Sequence, residues 1–174
     1  MIIFRNGAFG LGKTTVARAL VRRSPEYVLF DPELIGLALQ RSARLVEVTV
    51  DDFQELRAWR WLTIAGLRVA RVRWRKIVVP MAISRPEYLA ELRRGIARFE
   101  PRLCHVCRVA SIDVVHARLR IRGADPSEQS WQFRRAADCC AVHGGEAFAV
   151  QIDASLGTPD DLAGYVLDQC MIHR

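Results

Sequence analysis

Lysine is nearly absent from this sequence. Of the 26 lysines and arginines, only Lys13 and Lys76 are lysines, and the formal net charge is +7. Arginine binds phosphate and carboxylate groups through paired hydrogen bonds, so this composition suits an anionic ligand. The arginines are spread along the chain and form no single basic block, which argues against a dedicated nucleic-acid-binding protein. A basic, solvated surface accounts for most of the excess charge.

Long apolar runs are also missing. No run approaches the roughly 18–20 residues that cross a bilayer. The first apolar run, Ile2 to Phe4, is cut short by Arg5 and Asn6, which is not the pattern of a signal peptide. The sequence has no internal repeat and no low-complexity segment. With 174 residues, 51% of them hydrophobic, we expect one domain spanning residues 1–174, without membrane insertion and in the cytoplasm.

The cysteines give no clear metal motif. Cys104 and Cys107 have a spacing found in zinc sites. Their segment is predicted to be a strand, however, where positions three apart face opposite sides. Cys139 and Cys140 are adjacent, and Cys170 stands alone. We therefore expect buried free thiols in a reducing compartment rather than a metal site.

What the chain does contain is the pattern Gly7-x4-Gly12-Lys13-Thr14, which is typical of a phosphate-binding loop. The apolar run before it and the helical pattern after it form the strand, loop and helix that the motif requires. A glycine-rich turn without nucleotide is the disfavoured alternative. Lys13 would reach the β- and γ-phosphates of ATP, and the Thr14 hydroxyl would bind Mg²⁺. The predicted nucleotide-binding residues here are Gly7, Ala8, Phe9, Gly10, Leu11, Gly12, Lys13, Thr14 and Thr15.

Strands and helices alternate along the rest of the chain, which predicts a parallel α/β sheet with crossover helices. Five strands are expected, at residues 2–4, 26–30, 76–83, 103–110 and 147–152. The helices after the first are expected to start at about residues 32, 51, 86, 111, 127 and 158. The helix from Asp51 or Asp52 is predicted to run to Arg73.

Asp31 follows the second predicted strand, at the sheet edge where α/β proteins bind ligands. Two interpretations can both hold: a cap for the helix that begins at Pro32 and Glu33, and a base or orienting group for a substrate hydroxyl. No acid ends the strand 76–83, where many nucleotide-binding enzymes place a carboxylate near the metal; Pro80 and Met81 stand there instead. This absence weakens a simple hydrolase interpretation.

Aromatic residues near the third predicted helix are candidates for the acceptor site. Phe53 lies at the mouth of that helix and could contact a flat ligand. Trp59 and Trp61 fit the core or the wall of a cleft better than a stacking platform, because apolar residues cover much of the helix circumference. Met81 completes the predicted acceptor set.

Arg118 and Arg122 lie four residues apart and share one helical face. In one interpretation, their positive charges interact favourably with the negative C-terminal end of the helix dipole. In the other, they contact the nucleotide and the transferring phosphate. In the second interpretation, residues 118–145 form a small mobile helical lid. Asp153, after the last predicted strand, falls where an adenine-side loop would lie.

These motifs together resemble the tunicamycin-resistance family of P-loop kinase-like proteins, which are similar to nucleoside-monophosphate kinases and chloramphenicol phosphotransferase. The resemblance covers most of residues 1–122. The segments that carry it are Asn6–Thr14, Asp31–Glu33 with Gly36 and Ala38-Leu39, Asp51–Gln54, Val79–Met81 with Pro86–Tyr88, and Arg118-Leu119 with Arg122.

The resemblance implies a P-loop NTPase fold, with a five-stranded parallel sheet flanked by helices and a small lid. It also implies ATP and Mg²⁺ binding and a role in resistance to tunicamycin, a uracil-containing nucleoside antibiotic.

Three functions remain open from the sequence. The first is a small-molecule phosphotransferase with Lys13, Asp31, Arg118 and Arg122 as its catalytic residues, and an acceptor between Asp31, Phe53, Trp59 and Met81. The second is a protein that binds the drug with ATP but transfers no phosphate. The third is a nucleic-acid end kinase, which the scattered arginines disfavour.

Overall fold

A computed structural model of the chain contains one five-stranded parallel sheet with the strand order β2-β3-β1-β4-β5. The structure describes residues 1–45, 47, 49, 51–125, 130–148, 150–154 and 157–172. The strands are β1 (Ile2–Gly7), β2 (Tyr27–Leu29), β3 (Lys76–Pro80), β4 (Leu103–Val109) and β5 (Val150–Asp153). The α-helices are α1 (Lys13–Arg23), α2 (Glu33–Leu45), α3 (Arg57–Arg73), α4 (Pro86–Ala97), α5 (Ile112–Ile121), α6 (Trp131–His143) and α7 (Pro159–Ile172). The predicted five-stranded α/β architecture is confirmed.

The central strand β1 is buried along its whole length, because helices cover both faces of the sheet. Alternate side chains of β1 therefore enter different cores. Phe4 packs on the side of α3 and α4, with residues such as Leu67 and Leu92. Ile3 packs on the side of α1 and α7, with residues such as Leu20 and Val166.

A third cluster connects the loop after β1 to helices α5 and α6. Ala8 and Leu11 of that loop are buried together with Leu119 of α5 and with Phe133 and Ala136 of α6. The loop is therefore held from one side by packing against both helices.

The helix predicted from Asp51 to Arg73 is divided in the structure. A short 3-10 turn, Phe53–Glu55, precedes α3, and Asp52 caps that turn by accepting a hydrogen bond from the Gln54 N–H. The Arg60 guanidinium donates to the carbonyls of Gln54 and Glu55 at 2.6 and 3.2 Å. These carbonyls are thus engaged by a side chain, so the regular helix begins only at Arg57.

Two other predicted boundaries also shift. The last strand begins at Val150 rather than 147, because a 3-10 turn, Glu146–Phe148, precedes it. The helix predicted from Ser127 is observed from Trp131, and Ser127 itself lies outside the described residues. None of the described helices is long and apolar enough to cross a membrane.

The expectation of free thiols is wrong for two cysteines. Cys104 of β4 and Cys170 of α7 form a disulfide, with their Cα atoms 5.5 Å apart. Cys104 faces the α1 and α7 side of the sheet, whereas Cys107 faces the other core, as the strand period requires. Cys107, Cys139 and Cys140 are free. Across the described residues, no three His, Cys, Asp or Glu side chains are placed to hold a metal ion.

Candidate functional site

The loop between β1 and α1 has the backbone of a phosphate cradle. Gly10 and Gly12 have φ angles of 80° and 69°, in the left-handed region that glycine adopts without cost. The first helical hydrogen bond runs from the Val16 N–H to the Gly12 carbonyl at 3.0 Å. The N–H groups that precede Val16 have no partner within the helix and form its positive end. An anion in the loop would meet these groups.

Lys13 places a buried cation in this cradle. Its side chain is 7% exposed, and Nζ donates to the Ala8 carbonyl at 3.1 Å. Nζ also lies 4.9 Å from the centre of the Phe9 ring. Burial lowers the pKa of Lys13, while the nearby charge of Glu33 opposes that change. A phosphate group would replace part of the lost hydration of this ammonium.

Two further basic side chains lie beneath the loop, and sequence reasoning did not single them out. Arg5 donates to the Gly12 carbonyl at 3.5 Å, and Arg108 donates to the carbonyls of Leu11 and Ala154, both at 2.6 Å. Burial lowers the pKa of Arg5 to about 9, with the charge of Arg108 adding to the effect. Burial likewise lowers the pKa of Arg108 to about 10. The sequence signal that could have identified them is an arginine within a strand that is mostly apolar.

Asn6, the chain's only asparagine, fixes the segment that follows β3. Its Oδ1 accepts from the Ile83 N–H at 2.9 Å, and its Nδ2 donates to the Ile83 carbonyl at 3.0 Å. His143 Nε2 lies 2.7 Å from the same carbonyl. The strand predicted to reach residue 83 therefore ends at Pro80, because the Asn6 side chain, rather than a neighbouring strand, forms hydrogen bonds with the Ile83 backbone.

A pocket of about 310 Å³ opens beside the phosphate-binding loop. Phe9 belongs to the loop and to the pocket, because its ring lies against Lys13 and also lines the pocket. The Trp131 ring meets Phe9 edge-on at a centroid distance of 5.2 Å. Helix α2 contributes three lining residues at the spacing of one helical face. The lining residues are Phe9, Glu33, Leu37, Gln40, Asp51, Phe53 and Trp131.

Phe53 is positioned by a glycine of α2. A Cβ atom at Gly36 would lie 2.4 Å from the Phe53 ring, so the ring lies directly against the helix backbone. Phe53 is 8% exposed and also contacts Trp59 at a centroid distance of 5.3 Å. This packing sets the depth of the pocket between α2 and the 3-10 turn.

Two carboxylates stand at the start of α2. Asp31 Oδ1 accepts the Glu33 N–H at 3.0 Å, which confirms the predicted cap. Glu33 lines the pocket, and burial raises its pKa; Lys13 opposes that rise and Asp31 adds to it. Glu33 thus lines the pocket and is close enough to Lys13 for the two charges to interact. Sequence reasoning named Asp31 and passed over Glu33.

A buried ion pair holds α6 against the other wall of the pocket. Arg135 Nη2 lies 2.7 Å from Asp52 Oδ2, and Arg135 Nη1 donates to Ser84 Oγ at 2.6 Å. Burial raises the pKa of Asp52, opposed by the Gln54 N–H and by Arg135. Trp131 lies one turn before Arg135 on α6, so this pair fixes the aromatic wall relative to the turn that carries Asp52.

Comparison with known proteins agrees with this geometry. No protein-family model and no curated protein matches the sequence. The solved structure of the tunicamycin resistance protein of Deinococcus radiodurans is similar, with a TM-score of 0.78 and 29% identity over 97% of this chain and 94% of that one. A gluconokinase from Sinorhizobium meliloti 1021 (TM-score 0.67, 18% identity, 98% and 91% covered) and shikimate kinase from Acinetobacter baumannii (0.62, 16%, 99% and 94%) are also similar.

The chain has the P-loop kinase fold. The resemblance to a tunicamycin resistance protein, predicted from the sequence, is confirmed. The kinase fold is carried by the order of the five parallel strands, which the structure supplies, and by the loop at the end of β1, which the sequence motif predicted.

Within this kinase fold, two predicted acceptor residues lie in the core. Trp59 is 2% exposed and donates from Nε1 to the Pro32 carbonyl at 2.9 Å. Met81 is 2% exposed and packs in the same core. Among the described residues, neither lines the pocket beside Phe9. Phe53, the third residue of that predicted set, does line the pocket.

The other predicted nucleotide-site residues lie at the end of α5 and at the end of β5. Arg118 is half-buried, and its Nη2 donates to the Ala154 carbonyl at 3.1 Å. Arg122 is exposed, yet its charge contributes to the lowered pKa of Lys13. Asp153 ends β5, and its charge raises the pKa of Arg108 against the effect of burial. None of the three is among the described residues that line the pocket beside Phe9.

Proposed function

We propose that this protein is an ATP-dependent phosphotransferase that acts on a small molecule. The observation that supports this most directly is the position of Phe9. The Phe9 ring lies 4.9 Å from the buried ammonium of Lys13 and also lines the pocket to which Glu33 contributes. A phosphate donor on the loop and an acceptor in the pocket would therefore be adjacent, which is the arrangement phosphoryl transfer needs.

The loop residues would hold the nucleotide. The backbone N–H groups from Gly7 to Thr15 would surround the phosphates, and Lys13 would contact the β- and γ-phosphates. The Thr14 hydroxyl would be a ligand of Mg²⁺, and this ion, when bound, would neutralise charge on the phosphates. Arg5 and Arg108 would keep the loop backbone in place through the carbonyls they contact.

The side of the loop facing α5 would complete the nucleotide site. Arg118 and Arg122 would contact the phosphates when residues 118–145 close as a lid. Asp153 would lie on the adenine side. For this part of the proposal, support comes from the half-buried position of Arg118 and from the effect of Arg122 on Lys13.

The pocket favours an acceptor without negative charge. Its seven described lining residues include two acids and no basic side chain. The rings of Phe9, Phe53 and Trp131 would bind a flat or apolar part of the acceptor. Similarity to a protein named for tunicamycin resistance supports a nucleoside antibiotic such as tunicamycin as the acceptor. Asp31 would orient the acceptor hydroxyl through its place at the start of α2.

The proposal is tested by following the γ-phosphate of ³²P-labelled ATP with Mg²⁺. Tunicamycin, uridine and uridine monophosphate are offered as acceptors, and Lys13→Ala serves as the inactive control. We expect label on tunicamycin or uridine, none on uridine monophosphate, and a loss of transfer of at least 100-fold in Lys13→Ala, on the order of one lost charge contact to the transition state. Absence of any labelled acceptor would contradict the proposed activity.

A second function, drug sequestration without transfer, has one observation in its favour. The end of β3 carries Pro80 and Met81 where a metal-side acid would stand, and both residues are buried. The same experiment separates the two functions. Tunicamycin that binds more tightly in the presence of ATP, measured by calorimetry, but acquires no label would support sequestration.

A further inference from the structure

We infer that Glu33 is the catalytic base that takes the proton of the acceptor hydroxyl, and that Asp31 is its positioning residue. This inference rests on the proposed phosphotransferase function and deepens it. The sequence pattern alone favours Asp31, which directly follows β2. The geometry of the start of α2 reverses this assignment.

The Asp31 carboxylate is hydrogen-bonded to the backbone at the start of α2. Its Oδ1 accepts the N–H of Glu33 at 3.0 Å, the hydrogen bond that starts the helix. Asp31 is not among the described residues that line the pocket. Its direct effect is therefore to fix the direction in which α2 begins, and with it the position of Glu33.

Glu33 has the environment that a base in this reaction needs. Glu33 lines the pocket on the same helical face as Leu37 and Gln40. The charged groups that act on its carboxylate are Lys13 of α1 and Asp31, which lies just before α2. Lys13 favours the ionised carboxylate, and Asp31 disfavours it. Asp51 also lines the pocket.

Burial strengthens Glu33 as a base. Removal from water raises its pKa, and the charge of Asp31 acts in the same direction, whereas Lys13 opposes both. A carboxylate with a raised pKa accepts a proton more readily when the hydroxyl becomes acidic during attack. Asp31 thus contributes to basicity as well as to position.

The acceptor hydroxyl oxygen forms a bond to the γ-phosphorus of ATP, and the bond from that phosphorus to the β,γ-bridging oxygen breaks. ADP leaves with the electron pair of the broken bond. The hydroxyl proton passes to a Glu33 carboxylate oxygen and from there to solvent.

The test compares three matched variants, Glu33→Gln, Asp31→Asn and Asp168→Asn, each of which removes one charge and nearly preserves volume. Transfer of ³²P to tunicamycin is measured in single turnovers from pH 5 to 9, together with the KM for ATP. For the wild type we expect a rate that falls toward low pH, because Glu33 must be unprotonated. The midpoint of that fall should lie above the ordinary pKa of a glutamate, because burial raises the pKa of Glu33.

Glu33→Gln should lower the rate by 100-fold or more, on the order of general-base catalysis, without the acid limb and with an unchanged KM for ATP. Glu33→Asp should recover part of the rate and keep an acid limb. Asp31→Asn should retain the limb, shifted to lower pH, with a smaller loss of rate. Asp168→Asn, on the exposed surface of α7 and outside the pocket lining, should behave like the wild type.

The experiment distinguishes failure of the Glu33 assignment from failure of the proposed phosphotransferase function. If the wild type labels no acceptor, the phosphotransferase proposal fails, and the assignment of Glu33 fails with it. If the wild type is active but Glu33→Gln keeps the rate and the acid limb, only the assignment of Glu33 is overturned. An acid limb that disappears in Asp31→Asn and persists in Glu33→Gln would return the role to Asp31.

Discussion

At the scale of single residues, the most unusual feature is the concentration of buried cations around the loop. Lys13, Arg5 and Arg108 are all less than 8% exposed, and burial lowers the pKa of each. No salt bridge to any of them forms in the described part of the chain. Holding like charges out of water opposes folding, and a bound polyphosphate would relieve that cost.

Replacing Arg5 should show that its buried charge lowers the stability of the protein without nucleotide. Arg5→Met keeps an unbranched side chain of similar length but removes a buried charge whose hydrogen bond to Gly12 is long, at 3.5 Å. We expect the free energy of unfolding without nucleotide to rise by about 1–2 kcal/mol. Affinity for ATP with Mg²⁺ should fall about tenfold, because one positive charge beneath the phosphates is lost. Urea unfolding and calorimetric titration with ATP measure the two effects.

Arg108→Met is the matched control with the opposite expected sign for stability. Arg108 makes two hydrogen bonds of 2.6 Å, to the carbonyls of Leu11 and Ala154, which the variant would leave without a donor. Its free energy of unfolding should therefore fall. A decrease for Arg5→Met as well would show that Arg5 stabilises the loop in the absence of nucleotide.

At the scale of elements, α2 and the 3-10 turn after it form the pocket by close packing. Gly36→Ala places a Cβ atom where the Phe53 ring lies, at 2.4 Å, and an aromatic ring held by Trp59 has little room to move. We expect the free energy of unfolding to fall by about 1–3 kcal/mol, as for other overpacked sites. Because Phe53 would be displaced into the pocket, affinity for tunicamycin should fall more than affinity for ATP.

Gly144→Ala provides the comparison for this change. Gly144 ends α6 with an ordinary φ angle of -75°, and a Cβ atom there would meet nothing within 4 Å. Urea unfolding should give Gly144→Ala a stability within about 0.5 kcal/mol of the wild type. A similar small effect for Gly36→Ala would mean that Phe53 is not held against α2.

Much of the element order followed from local signals. Ser111 caps α5 and Thr158 begins the cap of α7, as their positions before apolar-periodic segments predict. The segments that differed depend on distant partners. The Arg60 side chain donates to a backbone carbonyl that precedes α3, so that the helix begins later than predicted. The Asn6 side chain accepts a hydrogen bond from the Ile83 N–H, and β3 ends before that residue. Neither interaction leaves a trace in local periodicity.

The candidate site divides in the same way. The phosphate-binding loop was predicted residue by residue, because all of its parts are contiguous in the sequence. Of the predicted acceptor residues, only Phe53 lines the pocket, since the pocket collects side chains from four separate segments. Trp131 and Glu33 became candidates only once the fold placed them in the same pocket lining as Phe9. The Trp59 indole faces inward to the Pro32 carbonyl, so Trp59 lies in the core, one of the two places that its helical pattern favoured.

At the scale of the whole molecule, two buried histidines connect the sheet to α6. His105 of β4 and His143 of α6 are 5% and 2% exposed, and both rings lie near Phe148, at centroid distances of 6.4 and 4.8 Å. Burial lowers the pKa of each to about 4; Arg93 adds to the effect at His105, and at His143 the hydrogen bond to Ile83 opposes it. Both are therefore neutral in the folded protein above that pH.

These two histidines should set the acid stability of the protein. In the unfolded chain a histidine binds its proton near pH 6.5, whereas in the folded protein it does so only near pH 4. The unfolded state thus binds more protons in this window, and the free energy of unfolding falls as the pH drops. The slope should approach about 1.4 kcal/mol per pH unit for each histidine. Urea unfolding at half-unit intervals from pH 7.5 to 4.5 measures it.

The double variant His105→Phe, His143→Gln isolates this contribution. Phenylalanine fills the His105 position without a titratable group, and the glutamine amide can still donate to the Ile83 carbonyl that His143 contacts. Glu33 and Asp52 act in the opposite direction, because their raised pKa values let the folded state bind protons first. Without the histidines, we therefore expect stability to stay level or rise slightly between pH 6.5 and 5. Equal slopes in the wild type and the double variant would mean that other groups govern acid unfolding.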